Sequence, residues 1–345
     1  MIKKLLSCIG ILLFSILLAG GFVAWQSYHF WFQSPTKDAE TVLYTVEAGA
    51  GFSSIADDLA EQHIINSKNW FKFYTIINGT ASDLKAGVFE LKPGMSYSDI
   101  MKTLMVAPNS EEVSITFPEG YTVKQMGELV AEKFNITPEE WSVMTGVNSP
   151  LNNHNFVLTA QKPAGVDLEG YLFPDTYRFF VEATAEDIVE VMLDTMENRL
   201  VDTGAFNSDF KFQSEISNLH ELLTTASILE REVRTSQDIP QVADIIYKRL
   251  KIGMPLQMDS TVNYFTGNNT PSISLADRDI ESPYNTYLNT GLPPGPISNP
   301  GIDSLKAAVS PKTNDYYYFL TDAKGEVFYG VTFDQHITNK NKYLK

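Results

Sequence analysis

The chain has 345 residues, 43% of them hydrophobic, and a formal net charge of -16 at pH 7. That length leaves room for two domains, and the acidic balance excludes a phosphate backbone or an anionic membrane surface as principal partner, since both repel it. The single cysteine, Cys8, can form no internal disulfide, the histidines His29, His63, His154, His220 and His336 show no metal-ligand spacing, and no G-x-S-x-G, GxxxxGK(S/T) or HExxH occurs, so serine-hydrolase, NTPase and zincin chemistry lack a motif.

After Lys3 and Lys4 comes Leu5 to Trp25, an uncharged run of bilayer-crossing length, followed by the interface-type aromatics Trp25, Tyr28, Phe30, Trp31 and Phe32. A cleaved signal peptide shares the basic start, but the run is long and no small-x-small site precedes polar sequence. The reading is therefore a single-pass anchor in the inner (cytoplasmic) membrane, with the N-terminus cytoplasmic and the rest outside. Residues 1–36 comprise the cytoplasmic start, the transmembrane helix and a linker. No nucleic acid is expected as a partner.

Beyond the linker a weak repeat appears. Gly49, Gly94 and Gly120 are each followed six residues later by Ile55, Ile100 and Met126, and ten later by Leu59, Leu104 and Val130. Each copy reads as a glycine turn and an amphipathic helix, with Ser96 and Thr122 suited to capping, preceded by strands at 41–46, 87–91 and 113–117. Such units occur in glycan-binding modules and are also a generic way to build an α+β domain. Asn109 to Glu112 reads as a hinge between a domain at 41–110 and another at 111–345.

Helix and loop mix over 138–162, and the aromatic stretch LEGYLFPDTYRFF follows at 168–180. Helical periodicity returns at 185–200, 219–234 and 239–250, with Pro240 placed for a first turn. Residues 253–301 are the least helix-like part of the chain. A helix at 302–309 and an aromatic hairpin at 316–320 and 327–332 close the pattern.

The helix at 219–234 carries the main candidate. Leu219, Leu222, Ala226, Leu229 and Val233 define an apolar stripe, and Glu230 projects beside Leu223, whereas Glu221 and Glu232 point to the polar side. A carboxyl against apolar neighbours keeps its proton to higher pH and can act as a general acid. The plainer alternative is a solvated residue or an ion pair with Arg231 or Arg234. Within 253–301, stiff proline-rich backbone, amides (Gln257, Asn263, Asn285, Asn289, Asn299) and tyrosines (Tyr264, Tyr284, Tyr287) suit a sugar-binding wall or a rigid structural loop.

Five motifs, EGYLFPDTY at 169–177, ASILEREV at 226–233, LQMDSTV at 256–262, YNTY at 284–287 and GLPPGPISNPG at 291–301, together resemble the YceG-like endolytic murein transglycosylases. The resemblance runs from about residue 41 to the end, most loosely over 41–110. It implies an α+β protein with one transmembrane helix, a small LysM-like subdomain and a larger α+β catalytic domain with long loops. The implied activity is cleavage within peptidoglycan glycan strands, between N-acetylmuramic acid and N-acetylglucosamine, leaving 1,6-anhydro ends and terminating elongation beside the peptidoglycan synthases.

The family's catalytic glutamate maps onto Glu230. No metal or organic cofactor is expected. Gln257, Asp259, Tyr264, Asn285, Tyr287 and Asn299 are the candidate substrate contacts, and Asp175 suits a turn. Two rival readings stay open: a non-catalytic glycan-binding scaffold, and a muramidase-type hydrolase using Glu230 with Asp259 or Glu169.

Overall fold

The computed structural model describes residues 21, 40–47, 49–106, 112–206, 210–268 and 272–344. Apart from Gly21, the apolar run at 5–25 lies outside the described residues, among which no helix is long and apolar enough to cross a membrane. The chain separates into two compact units, with the division between Glu111 and Glu112.

In the first unit, β1 (Val42–Val46) pairs antiparallel with β2 (Gly87–Leu91), and α1 (Phe52–Glu61) and α2 (Lys68–Asn78) lie between them in sequence. Alternation sets the faces. Tyr44, Val46, Phe89 and Leu91 turn into a core with Ile55, Leu59, Phe71 and Leu104, while Leu43 and Val88 face out. α3 (Tyr97–Met105) completes the unit, its Ser96 side chain accepting from the Asp99 amide. The repeated glycines at 49, 94 and 120 all have left-handed φ, near 80°, as the repeat requires.

The second unit begins with β3 (Glu112–Thr116), paired antiparallel with β4 (Thr176–Phe180). Between them come α4 (Val123–Lys133), α5 (Pro138–Thr145), a short 3₁₀ turn and α6 (Asn155–Thr159). Thr122 with Gln125 and Thr137 with Glu140 form capping boxes that start α4 and α5. α7 (Ala185–Thr203) starts on a Thr184–Asp187 box and ends at Gly204 in the left-handed region.

At the centre lies α8 (Leu219–Glu232), which packs on α9 (Ile239–Lys251), α10 (Asp259–Thr266) and α12 (Ile302–Val309). Every residue from Leu219 to Leu229 except Glu221 is buried, so neighbours surround α8 instead of meeting one stripe. Thr224, Thr225 and Ser227 fit this setting by hydrogen-bonding to the preceding turn of the helix.

Three helices differ from the sequence reading. The stretch 253–301 contains α10 and a short α11 (Leu275–Arg278), hidden in the sequence because Ser260, Thr261, Val262 and Asn263 have low helix propensity and are held by burial instead. After the hairpin of β5 (Tyr318–Thr321) and β6 (Val327–Gly330), the chain ends in α13 (Phe333–Tyr343), started by the Thr332 cap. Its sparse apolar content left no clear stripe. The architecture is mixed α and β, with three separate two-stranded antiparallel sheets among the described residues.

Candidate active site

Glu230 stands in the last turn of α8, where the GLPPGPISNPG loop runs alongside the helix. The contact begins at the far end, where His220 Nε2 lies 2.8 Å from the Pro294 carbonyl. It continues as the Ile297 amide donates to Ser227 Oγ at 3.0 Å and Ser298 Oγ donates to the Ser227 carbonyl at 3.2 Å. The loop then enters α12, whose start meets Glu230: the Gly301 amide donates to Glu230 Oε2 at 3.0 Å and Ser304 Oγ donates to the same oxygen at 2.8 Å. Ser304 is fully buried. The setting of Glu230 is thus a helix N-terminus with a hydroxyl, which suits a carboxylate, and not the apolar enclosure expected from the stripe.

A second loop, Phe117 to Thr122, closes the other side. Gly120 adopts φ 75°, its amide donates to the Asn299 carbonyl at 2.9 Å, and Arg231 Nη1 donates to its carbonyl at 3.2 Å. A Cβ at Gly120 would lie 3.5 Å from Glu230 Cγ and 3.9 Å from Oε1, so this backbone forms the surface that Oε1 faces. Glu119 reaches in from the same loop. It accepts from the Ile302 amide, and it crosses Gly301 so closely that a Cβ there would sit 1.9 Å from Glu119 Oε1. Partial desolvation, then the charges of Glu230 and Asp303, push the Glu119 carboxyl above the usual carboxylate range. Glu119, Gly301 and Ser304 were not singled out from the sequence. The one signal was the PEG turn at 118–120, which reads equally well as a repeat boundary.

The buried groups behind the site are structural. Glu169, 3% exposed, accepts from the Val123 amide at 3.0 and 3.2 Å and from Asn299 Nδ2 at 2.9 Å. Burial, then the charge of Asp167, raise its pKa well above the ordinary value. Asn299 is also fully buried and every polar side-chain atom is used: Nδ2 donates to the Tyr121 carbonyl as well, and Oδ1 accepts from Leu172 N at 3.0 Å. Gly170 allows this crossing, since a Cβ there would meet Pro296 at 2.3 Å. Asp175 accepts from Thr176 N at 2.8 Å and pairs with Arg199 at 3.0 Å, a turn role as expected.

The remaining candidates divide. Asn285 is fully buried, donating to the carbonyls of Arg278 and Ile280 at 2.8 Å and accepting from Tyr287 N at 3.0 Å. Asn285 and Asn299 are therefore corrected from exposed amides to internal braces, because their hydrogen-bonding capacity is spent on backbone and, for Asn299, on Glu169 as well. Gln257 has an exposed side chain on left-handed backbone, φ 53°, with its amide on the Thr286 carbonyl at 3.1 Å. A non-glycine residue held there is strained, and the buried Arg249 guanidinium, 2.5 Å from the Leu256 carbonyl, anchors the chain just before it.

Asp259 accepts from the Tyr287 hydroxyl at 2.5 Å, and Tyr264 packs on Tyr284 with ring centroids 5.1 Å apart. Glu232, read from the sequence as pointing to a polar face, instead accepts from the Ser260 amide at 3.2 Å, and burial raises its pKa. A cavity of about 690 Å³ lies elsewhere, lined by His220, Thr224, Lys251 and residues 291–294 among others. It sits at the opposite end of α8 from Glu230, about 15 Å away at 1.5 Å per residue.

Residues 44–342 match the sequence profile of the YceG-like family. A Bacillus subtilis (strain 168) protein named endolytic murein transglycosylase is 35% identical over 323 residues, covering 89% of this chain and 86% of its own length. A protein of the same name from Streptococcus pneumoniae (strain D39) is 31% identical over 96% of this chain, which spans 63% of that longer relative. A crystal structure of a yceG-like protein from Listeria monocytogenes superposes with a TM-score of 0.56 at 31% identity, covering 87% of this chain and 99% of that one.

Proposed function

Because the chain belongs to the YceG-like family, we propose that it is an endolytic murein transglycosylase, a lytic enzyme that cleaves peptidoglycan glycan strands. The observation that carries the assignment of the reacting group is the fixing of Glu230 by Gly301 and Ser304 at the mouth of two loops. In the lytic route, protonated Glu230 gives its proton to the glycosidic oxygen leaving N-acetylmuramic acid C1. The resulting carboxylate then takes the proton of the muramoyl 6-hydroxyl, whose oxygen bonds to C1 and closes the 1,6-anhydro ring. The proton returns to Glu230 and no water is consumed. One carboxyl suffices because the substrate supplies the nucleophile.

Gln257, Asp259, Tyr264 and Tyr287 are the proposed glycan contacts. The βααβ order of the first unit supports a LysM-like reading, in which it holds the strand while the second unit cuts. The apolar run at 5–25 would anchor the chain in the inner membrane with both units outside, where peptidoglycan synthases deliver nascent strands. The test is release of glycan fragments from peptidoglycan by the purified full-length chain beside Glu230→Gln. Loss of release in a variant with unchanged melting temperature supports the reading. Retained release assigns the chemistry elsewhere.

A further inference from the structure

We propose that Glu119 is a positioning residue for this reaction, its carboxyl and that of Glu230 forming one pair held on adjacent amides at the start of the same helix. The inference rests on the reading of Glu230 given above. Glu230 accepts from Gly301 N and Glu119 from Ile302 N, so one helix start orders both. Gly301 is the device that permits it. Its φ of -78° is open to any residue, so the absence of a side chain answers to Glu119, whose Oε1, Cδ and Cγ would lie 1.9, 2.2 and 2.8 Å from a Cβ. On the other side, Gly120 brings the backbone that follows Glu119 to within contact of Glu230 Cγ.

Two carboxyls so placed repel each other when both are ionised. The charged groups facing Glu119 are Glu230 from α8, Asp303 from α12 and Asp175 just before β4, itself paired with Arg199, while Arg231 from α8 bonds the carbonyl of the adjacent Gly120. The raised pKa of Glu119 agrees with that geometry. The consequence is that Glu119 retains its proton at pH values where an isolated carboxylate has lost it, beside the group that must supply one. An acid form is what departure of the glycosidic oxygen requires. Glu119 then acts through Glu230, keeping it supplied with a proton, and loss of the Glu119 proton sets the alkaline edge of activity.

The test is the pH profile of kcat/KM for glycan cleavage by the full-length chain, comparing wild type with Glu119→Gln, Glu119→Asp and Gly301→Ala, and with Glu230→Gln as reference. Glutamine keeps size and an acceptor for Ile302 N but removes the titratable proton. The alkaline limb is expected to move about one pH unit toward acid, which gives about a tenfold loss above the wild-type limb and little change below it. Gly301→Ala displaces Glu119 and should move the limb the same way, while aspartate should restore it. A profile for Glu119→Gln that superimposes on wild type, or falls by one factor at every pH, overturns the role of Glu119 while Glu230→Gln stays inactive. Cleavage by Glu230→Gln at the wild-type rate would instead overturn the underlying assignment of Glu230, and this inference with it.

Discussion

Replacing Ser304 by alanine separates the positioning of Glu230 from its chemistry. Ser304 is fully buried, and its hydroxyl donates to Glu230 Oε2 at 2.8 Å, a short bond to a charged acceptor. Such bonds contribute about 1.5–3 kcal/mol, and the alanine leaves only a one-atom gap, so the loss in stability should be about 2 kcal/mol. In a unit of this size that lowers the melting temperature by about 4–8 °C. Gly301 N still donates to Oε2, so Glu230 keeps one tether and loses its direction. The expected kinetic result is about a tenfold fall in kcat, equivalent to about 1.4 kcal/mol, with KM within about twofold of wild type. Calorimetry and steady-state release of glycan fragments give the two numbers. Full turnover in a variant that shows the melting shift would refute the view that Ser304 aims the carboxyl.

Other perturbations follow from the same contacts. Gly120→Ala forces a side chain into left-handed backbone facing Glu230 Cγ, and should lower stability by about 1–2 kcal/mol and largely abolish cleavage. Glu169→Ala strips the Val123 amide and Asn299 of their acceptor and should destabilise by about 1–3 kcal/mol, whereas Glu169→Gln, which keeps an acceptor, should melt nearer wild type. His220 is buried between the Tyr171 hydroxyl and the Pro294 carbonyl, and burial depresses its pKa below the unfolded value near 6.5. Its contribution is therefore complete above about pH 6.5 and is lost as pH falls toward the folded pKa, so the melting gap between wild type and His220→Gln should narrow between about pH 7 and 5. A gap that is constant across that range would show that His220 is not held neutral.

The sequence made Glu230 visible because a helix period places one carboxylate against an apolar stripe, and helices such as Ile302–Val309 and Ile239–Lys251 were equally legible from spacing and, in the second, from Pro240 in the first turn. Its actual surroundings were not legible. Gly301, Ser304 and Gly120 reach Glu230 across separations of about 70 and 110 residues, and periodicity carries no information on such closures. Asn285 and Asn299 show the complementary failure. An amide in a polar, proline-rich loop looks exposed in sequence, yet irregular backbone must find partners for its carbonyls, and Asn285 serves those of Arg278 and Ile280 while Asn299 serves that of Tyr121. The helix at Asp259–Thr266 escaped notice for a related reason, since burial and not propensity holds it.

The most direct measurement is mass spectrometry of the glycan ends produced from peptidoglycan by the full-length chain in heavy-oxygen water, wild type beside Glu230→Gln. Attack by the muramoyl 6-hydroxyl predicts 1,6-anhydro ends that carry no solvent oxygen and are absent with Glu230→Gln. Reducing ends labelled from solvent would contradict the lytic mechanism and indicate hydrolysis.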